Sequence, residues 1–148
     1  MALIHQSGKG STLDIEQNRA IVTRIFEQAW SQADFNGMDA VIAEDAQLHI
    51  RGLTLPTNAA DLEQVVARWH RAFAGFKFTI KDMIAKNDTV AVRLTMSGTH
   101  QGQWQDIPPT GRQISVDTMM FLQITEGEVT QIWETFDEPT LRKQLTQD

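Results

Sequence analysis

The chain has 148 residues, a formal net charge of −6, and neither Cys nor Tyr. Those two absences exclude thiolate nucleophiles, disulfides, Cys-ligated zinc, iron–sulfur clusters and any tyrosyl acid or oxyanion donor. The length is about that of one domain, 41% hydrophobic content supplies a core, and an acidic balance with no Lys/Arg cluster longer than a pair disfavours nucleic acid and anionic membranes as partners.

No apolar run approaches the ~18 residues needed to span a bilayer, and the first ten residues lack the apolar stretch of a signal peptide, so the expected address is the cytoplasm. Residues 1–12 read as a polar tail and 13–148 as a single domain. Asp14 with Gln17 resembles a capping box, and Ile21, Val22, Ile25, Phe26, Ala29 and Trp30 then recur on one helical face. After the Asn36-Gly37 turn, Met38, Val41 and Ile42 form the stripe of a shorter helix, followed by a short strand over residues 47–51. Beyond Pro56, Asn58 is the expected cap of a third helix whose stripe is Leu62, Val65, Val66, Trp69 and Phe73.

After Gly75 the period changes to two. Phe76, Phe78 and Ile80 alternate with polar residues, as do Val90, Val92, Leu94 and Met96 beyond the Asn87-Asp88 turn. Two more strands are expected over 114–124 and 129–136, joined at Glu126-Gly127-Glu128. Short turns require antiparallel pairing. Pro139 suits the first turn of a terminal helix carrying Leu141 and Leu145. Helices followed by a strand meander describe an α+β domain, and a long twisted sheet against helices on one face tends to enclose a cavity. The strand at 114–124 interleaves Val116, Thr118, Met120 and Leu122 with Met119 and Phe121. Apolar side chains on both faces predict a homodimer through the sheet, or a higher homo-oligomer.

The segment Gly98-Thr-His-Gln-Gly-Gln-Trp-Gln-Asp-Ile-Pro-Pro-Thr-Gly-Arg112, then Glu126-Gly-Glu-Val, Ile132-Trp-Glu-Thr-Phe-Asp137 and Leu141-Arg-Lys-Gln-Leu145, resembles the SnoaL-like polyketide (ester) cyclases of the nuclear-transport-factor-2-like superfamily. The likeness extends upstream through Ala29-Trp30 to about Asp14. It implies a cone-shaped fold, with a curved antiparallel sheet wrapped around N-terminal helices. It also implies an intramolecular aldol ring closure on a hydrophobic, aromatic polyketide-like small molecule, by acid–base catalysis without metal or organic cofactor. One departure is visible: the family usually has Gly before Ile-Pro-Pro-Thr-Gly, where this chain has Asp106.

The resemblance assigns acid–base duty to Asp137. Alternation puts Trp133 on the same strand face, and desolvation against an aromatic raises a carboxyl pKa. Asp137 is equally suited to cap the terminal helix, two residues before Pro139. His100 continues the even-numbered series of its strand and faces either a substrate oxygen or the backbone carbonyls of a bent strand end. Trp30, Trp69 and Phe73 are inward-facing and serve core and pocket together, with Met120 on the inner series, Trp104 in the loop at the mouth, and His49 either near the pocket or at an edge. No histidine pair has a metal-binding spacing such as H-E-x-x-H. Two other functions stay open: a non-catalytic binder of small hydrophobic molecules, and a hydroxylase- or isomerase-like relative on the same scaffold.

Overall fold

A computed structural model describes residues 12–147, so the expected polar tail, save Thr12, lies outside the described residues. Helix α1, Thr12–Arg24, continues directly into a π-helical turn, Ile25–Trp30. The expected stripe from Ile21 to Trp30 is buried throughout. Because α1 begins at Thr12, Asp14 lies inside its first turn, where a carboxylate meets the positive end of the helix dipole, and not at its cap.

Gly37, at φ 79°, starts a single 3-10 turn, Met38–Ala40. The second helix expected here goes no further, because strand β1 takes over at Ile42 and runs to Ile50. The chain then reverses through Arg51 and Gly52, both at positive φ, into strand β2, Leu53–Pro56. Consecutive positive-φ residues match the twist of a two-residue hairpin. Helix α2, Ala59–Ala72, opens on a complete capping box: Asn58 accepts from the Asp61 amide at 2.9 Å, and Asp61 accepts from the Asn58 amide at 3.1 Å.

Strands β3 (Phe73–Lys86), β4 (Thr89–His100), β5 (Gln113–Thr125) and β6 (Glu128–Phe136) form the expected meander, and helix α3, Glu138–Thr146, closes the chain with Pro139 in its first turn. The sheet order is β2-β1-β6-β5-β4-β3. One pairing corrects the antiparallel expectation: β1 runs parallel to β6, so the sheet is mixed. Everything from β2 to β5 lies between them, which is ample for the long crossover a parallel pair requires.

Register shifts in β1, β3 and between β5 and β6 bend the unclosed sheet. Its concave face takes the buried even-numbered residues of β4 and β5, from Val90 to Met96 and from Ile114 to Ile124. Rings from the π-turn close over it: Trp30 meets Phe78 edge-on at 5.0 Å, as does Phe26 at 5.5 Å. Among the described residues no helix is long and apolar enough to cross a membrane.

Where β4 ends, its continuation docks on the last turn of α2. The amides of Gln101 and Gly102 both donate to the Ala72 carbonyl at 3.0 Å. A Cβ on Gly102 would sit 2.1 Å from the Arg71 carbonyl oxygen, so only glycine permits this approach. Gly102→Ala is expected to cost about 1–3 kcal/mol in urea unfolding, the usual range for overpacking. An unchanged midpoint would show that the loop docks without that contact.

Candidate functional site

Between the concave face of β1, β5 and β6 and the flank of α2 lies a cavity of about 390 Å³. Two wider depressions, along α1 and on the outer face of the sheet, are open to solvent. The cavity, more sheltered than either depression, is the candidate site, since ligand pockets are concave and mainly apolar with a few converging polar groups.

Its aromatic wall is made by Trp30, Trp69, Trp104 and Phe136. Trp69, on α2, is the hub: its ring lies 6.0 Å from Phe136, edge-on, and 6.3 Å from Trp104. Leu62, Met120 and Ile132 extend the apolar lining. The polar contributors are Glu134 on β6, Arg51 in the β1–β2 turn, Thr57 before α2, Arg68 on α2, and Gln103 and Gln105 in the loop after β4.

Glu134 reaches the cavity because of register. It pairs with Met120 across the β5–β6 ladder, flanked by Ile132 and Phe136 on the same inward series. Burial pushes its carboxyl from the ordinary 4.5 up to about 7, and the Arg51 guanidinium partly opposes this. Desolvation in an aromatic pocket penalises the charged form more than the Arg51 charge repays. The result is a carboxyl poised to give and take a proton near neutral pH.

The sequence-predicted residues divide between three places. Trp30, Trp69, Trp104 and Met120 are in the cavity lining. Phe73 is fully buried beside it, stacked on Trp69 at 5.7 Å, and packs the core without joining the lining. Trp133 and His49 lie on the opposite, convex face, stacked on each other at 5.1 Å and 18°. His49 is held there between Thr54 Oγ1 at 3.1 Å and Gln131 Oε1 at 2.6 Å.

Asp137 follows the strand and caps α3. Its Oδ1 accepts from the Thr140 amide at 3.1 Å and its Oδ2 from the Thr140 hydroxyl at 2.7 Å. Those hydrogen bonds hold its carboxyl below the ordinary carboxylate range, opposite to the raised value expected beside Trp133. Asp137 is exposed and outside the cavity lining.

His100 faces inward as its parity predicts, at 0% exposure, with its ring 5.2 Å from Phe73. Its Nδ1 accepts from the Thr110 amide at 3.2 Å, and the Thr110 hydroxyl lies 3.0 Å away. With Nδ1 accepting, the ring is neutral, and burial keeps its pKa below the ordinary 6.5. His100 thereby ties the Pro108-Pro109-Thr110 loop to the end of β4, away from the cavity wall.

Asp106, the departure from the family pattern, has a definite role in that loop. Its carboxylate pairs with Arg142 on α3 at 2.9 Å, and Arg142 also donates to Gln105 Oε1 at 2.8 Å while lying 5.8 Å above the Trp104 ring. Glu138 completes the tether, accepting from Gln105 at 3.3 Å and pairing with Arg51 at 3.4 Å. The first turns of α3 therefore hold the loop that presents Trp104. Among the described residues no group of three or more His, Asp or Glu side chains is arranged to hold a metal ion.

Sequence reasoning missed Glu134, Arg51 and Arg68. For Glu134 a signal was present: it shares parity with Ile132 and Phe136, whereas Trp133 and Asp137 share the other parity. The resemblance pointed instead to Asp137, whose parity places it with Trp133 on the other face of β6. Arg51 and Arg68 carried no comparable pattern.

A curved sheet folded over helices around a small pocket is the cone of the nuclear-transport-factor-2-like domains. Within that class the chain belongs to the SnoaL-like polyketide cyclase family, whose model matches residues 20–145. Solved structures agree on the fold. IdmH of Streptomyces antibioticus, provisionally a polyketide cyclase, superposes with TM-score 0.77 at 24% identity, over 87% of this chain and 98% of that one. AclR of Streptomyces galilaeus, provisionally designated a hydroxylase, gives 0.78 at 24% identity over 88% and 82%. A SnoaL-like polyketide cyclase of Agrobacterium tumefaciens gives 0.73 at 14% identity over 86% and 97%. Among curated protein sequences no match is found.

The position of Glu134 has a consequence for stability. Between about pH 4.5 and 7 the folded protein keeps a proton that the unfolded chain has already released, so stability falls as pH rises through that window. Glu134→Gln removes this loss. Urea unfolding should show the variant gaining about 1–3 kcal/mol on the native chain between pH 4 and pH 8. A difference independent of pH would mean that Glu134 titrates as an ordinary carboxylate.

Proposed function

We propose that the protein is a cofactor-independent acid–base enzyme that closes a ring by intramolecular aldol addition on a small, predominantly apolar substrate, with Glu134 as the proton-transfer group. The observation that carries this reading is the one carboxyl among the described residues lining an aromatic-walled cavity, with a pKa raised to about 7. Family membership supports it.

A carbon next to a carbonyl gives its proton to the Glu134 carboxylate, leaving an enolate. The enolate carbon bonds to a second carbonyl carbon of the same molecule, and the resulting alkoxide recovers the proton from Glu134. Nothing is consumed, so the carboxyl only has to alternate between its two forms, which a pKa near the working pH allows. The apolar walls hold the chain ends together and keep water from the enolate. Asp137, engaged as a helix cap, and His100, engaged with the Thr110 loop, have positioning roles in this scheme.

Proton exchange at the α-carbon of 2-tetralone in D₂O, followed by NMR, tests the first half of the reaction. Glu134→Gln should lower the catalysed rate by about 10²–10⁴-fold, and the native rate should rise with pH to a plateau above about 7. Asp137→Ala should retain the rate within a few-fold. The reverse result, loss with Asp137→Ala and retention with Glu134→Gln, would return the catalytic role to Asp137. A native chain with no exchange activity, yet able to bind apolar molecules, would favour the ligand-binding alternative.

The convex face supports the homodimer read from the sequence. Met119 and Phe121 are each 57% exposed and Trp133 is 44% exposed, on adjoining strands β5 and β6. Such a cluster on a monomer surface marks an interaction face, and its partner in this reading is a second copy of the chain. Sedimentation velocity at micromolar concentration should give a dimer for the native chain and a monomer for Phe121→Glu. A native monomer would remove the proposal.

A further inference from the structure

The lining of the cavity is unequal in charge. Its deeper part is apolar apart from Glu134 and Thr57, while its exposed part includes Arg51, Arg68, Gln103 and Gln105. Both fixed charges at the exposed edge are therefore positive, in a chain whose net charge is −6. At physiological salt, charges beyond about 8 Å are largely screened, so an entering molecule responds to these local cations more than to the acidic surface elsewhere.

The two arginines differ in their partners. Arg51 is paired with Glu138 at 3.4 Å. Arg68 makes no side-chain hydrogen bond or ion pair among the described residues. Arg24 is engaged by Gln28 and Asn36, Arg93 by Asp82, and Arg142 by Asp106 and Gln105, while Arg71, also on α2, lies outside the cavity lining. Arg68 follows about one turn after Val65 on α2 and immediately precedes Trp69, the hub of the aromatic wall. A guanidinium so placed offers a planar fork of donors to any carboxylate whose apolar body lies against Trp69.

We propose that Arg68 is a specificity-determining residue that recognises an anionic group of the ligand, with Arg51 as the second cation, and that the ligand is a compact one- or two-ring molecule bearing a carboxylate. This deepens the reading of the cavity as a small-molecule site and rests on it. The volume of about 390 Å³ is near the lower end of the ~300–1,000 Å³ range of ligand pockets, which suits a compact skeleton better than a long fused-ring system. The carboxylate stays at the solvent-facing edge, where its desolvation costs least, and the rings occupy the space before Glu134.

Equilibrium dialysis at pH 6 with 2-naphthoate and its uncharged isostere 2-naphthamide separates charge recognition from packing. Arg68→Met should weaken 2-naphthoate about tenfold and leave 2-naphthamide within twofold, and Arg68→Lys should restore part of the loss. Raising NaCl from 0.05 to 0.5 M should weaken only the naphthoate. Equal losses for the two probes, or no loss for either, would overturn the proposal and leave the cavity as a ligand site, with Arg68 only shielding Trp69. If neither probe binds the native chain, both this proposal and the reading of the cavity as a small-molecule site fall.

Discussion

The two-residue period of β6, locked by its pairing with β5 on one side and β1 on the other, is the constraint on which the site depends. Glu134 opposes Met120, while Trp133 opposes Phe121 and His49. A slip of one residue would exchange the two faces, sending the carboxyl to the convex surface and an indole into the cavity. The slip is opposed by Leu122 opposite Ile132 on the inner face and by the parallel partner β1, which fixes β6 from its other edge. The parallel β1–β6 pair thus does more than extend the sheet: it brings the β1–β2 turn, and Arg51 with it, to the neighbourhood of Glu134.

Placing a carboxyl in that cavity has opposite effects on stability and chemistry. Ionisation is penalised by the aromatic surroundings, which lowers stability as pH rises, and the same penalty brings the group into the range where it can accept and return a proton. Asp137, three residues on, shows the contrasting environment. Exposed and hydrogen-bonded to Thr140, it is held ionised and serves the backbone of α3. Two carboxylates near one another in sequence are driven in opposite directions by their surroundings.

The loop after β4 is held from both ends. His100 bonds the Thr110 amide, Gly102 seats the chain on Ala72, and Arg142 with Glu138 engages Gln105 and Asp106. These contacts present Trp104 to Trp69 and so complete the aromatic wall. The residue that departs from the family's usual glycine is thereby part of a network between the loop and the terminal helix. His100 is the other side of the same arrangement: its inward parity was legible, but its occupation by the loop was not, because Thr110 is ten residues away and reaches it only once the chain has folded back.

Much of the molecule follows from local pattern. The absence of Cys and Tyr excluded thiol and phenol chemistry, the 3.6-residue stripe of α1 and α2 and the alternation of β3 to β6 determined the elements, and the turn at Glu126-Gly127 and the cap at Asn58 determined their ends. Periodicity even contained the parity of Glu134 with Ile132 and Phe136. Tertiary structure decided what period alone leaves free: that β6 takes β1 as a parallel neighbour, which of its two faces turns toward α2, and that Arg51 and Arg68 meet at one cavity. Those outcomes depend on contacts between segments far apart in the chain, where burial and register act on all the strands at once.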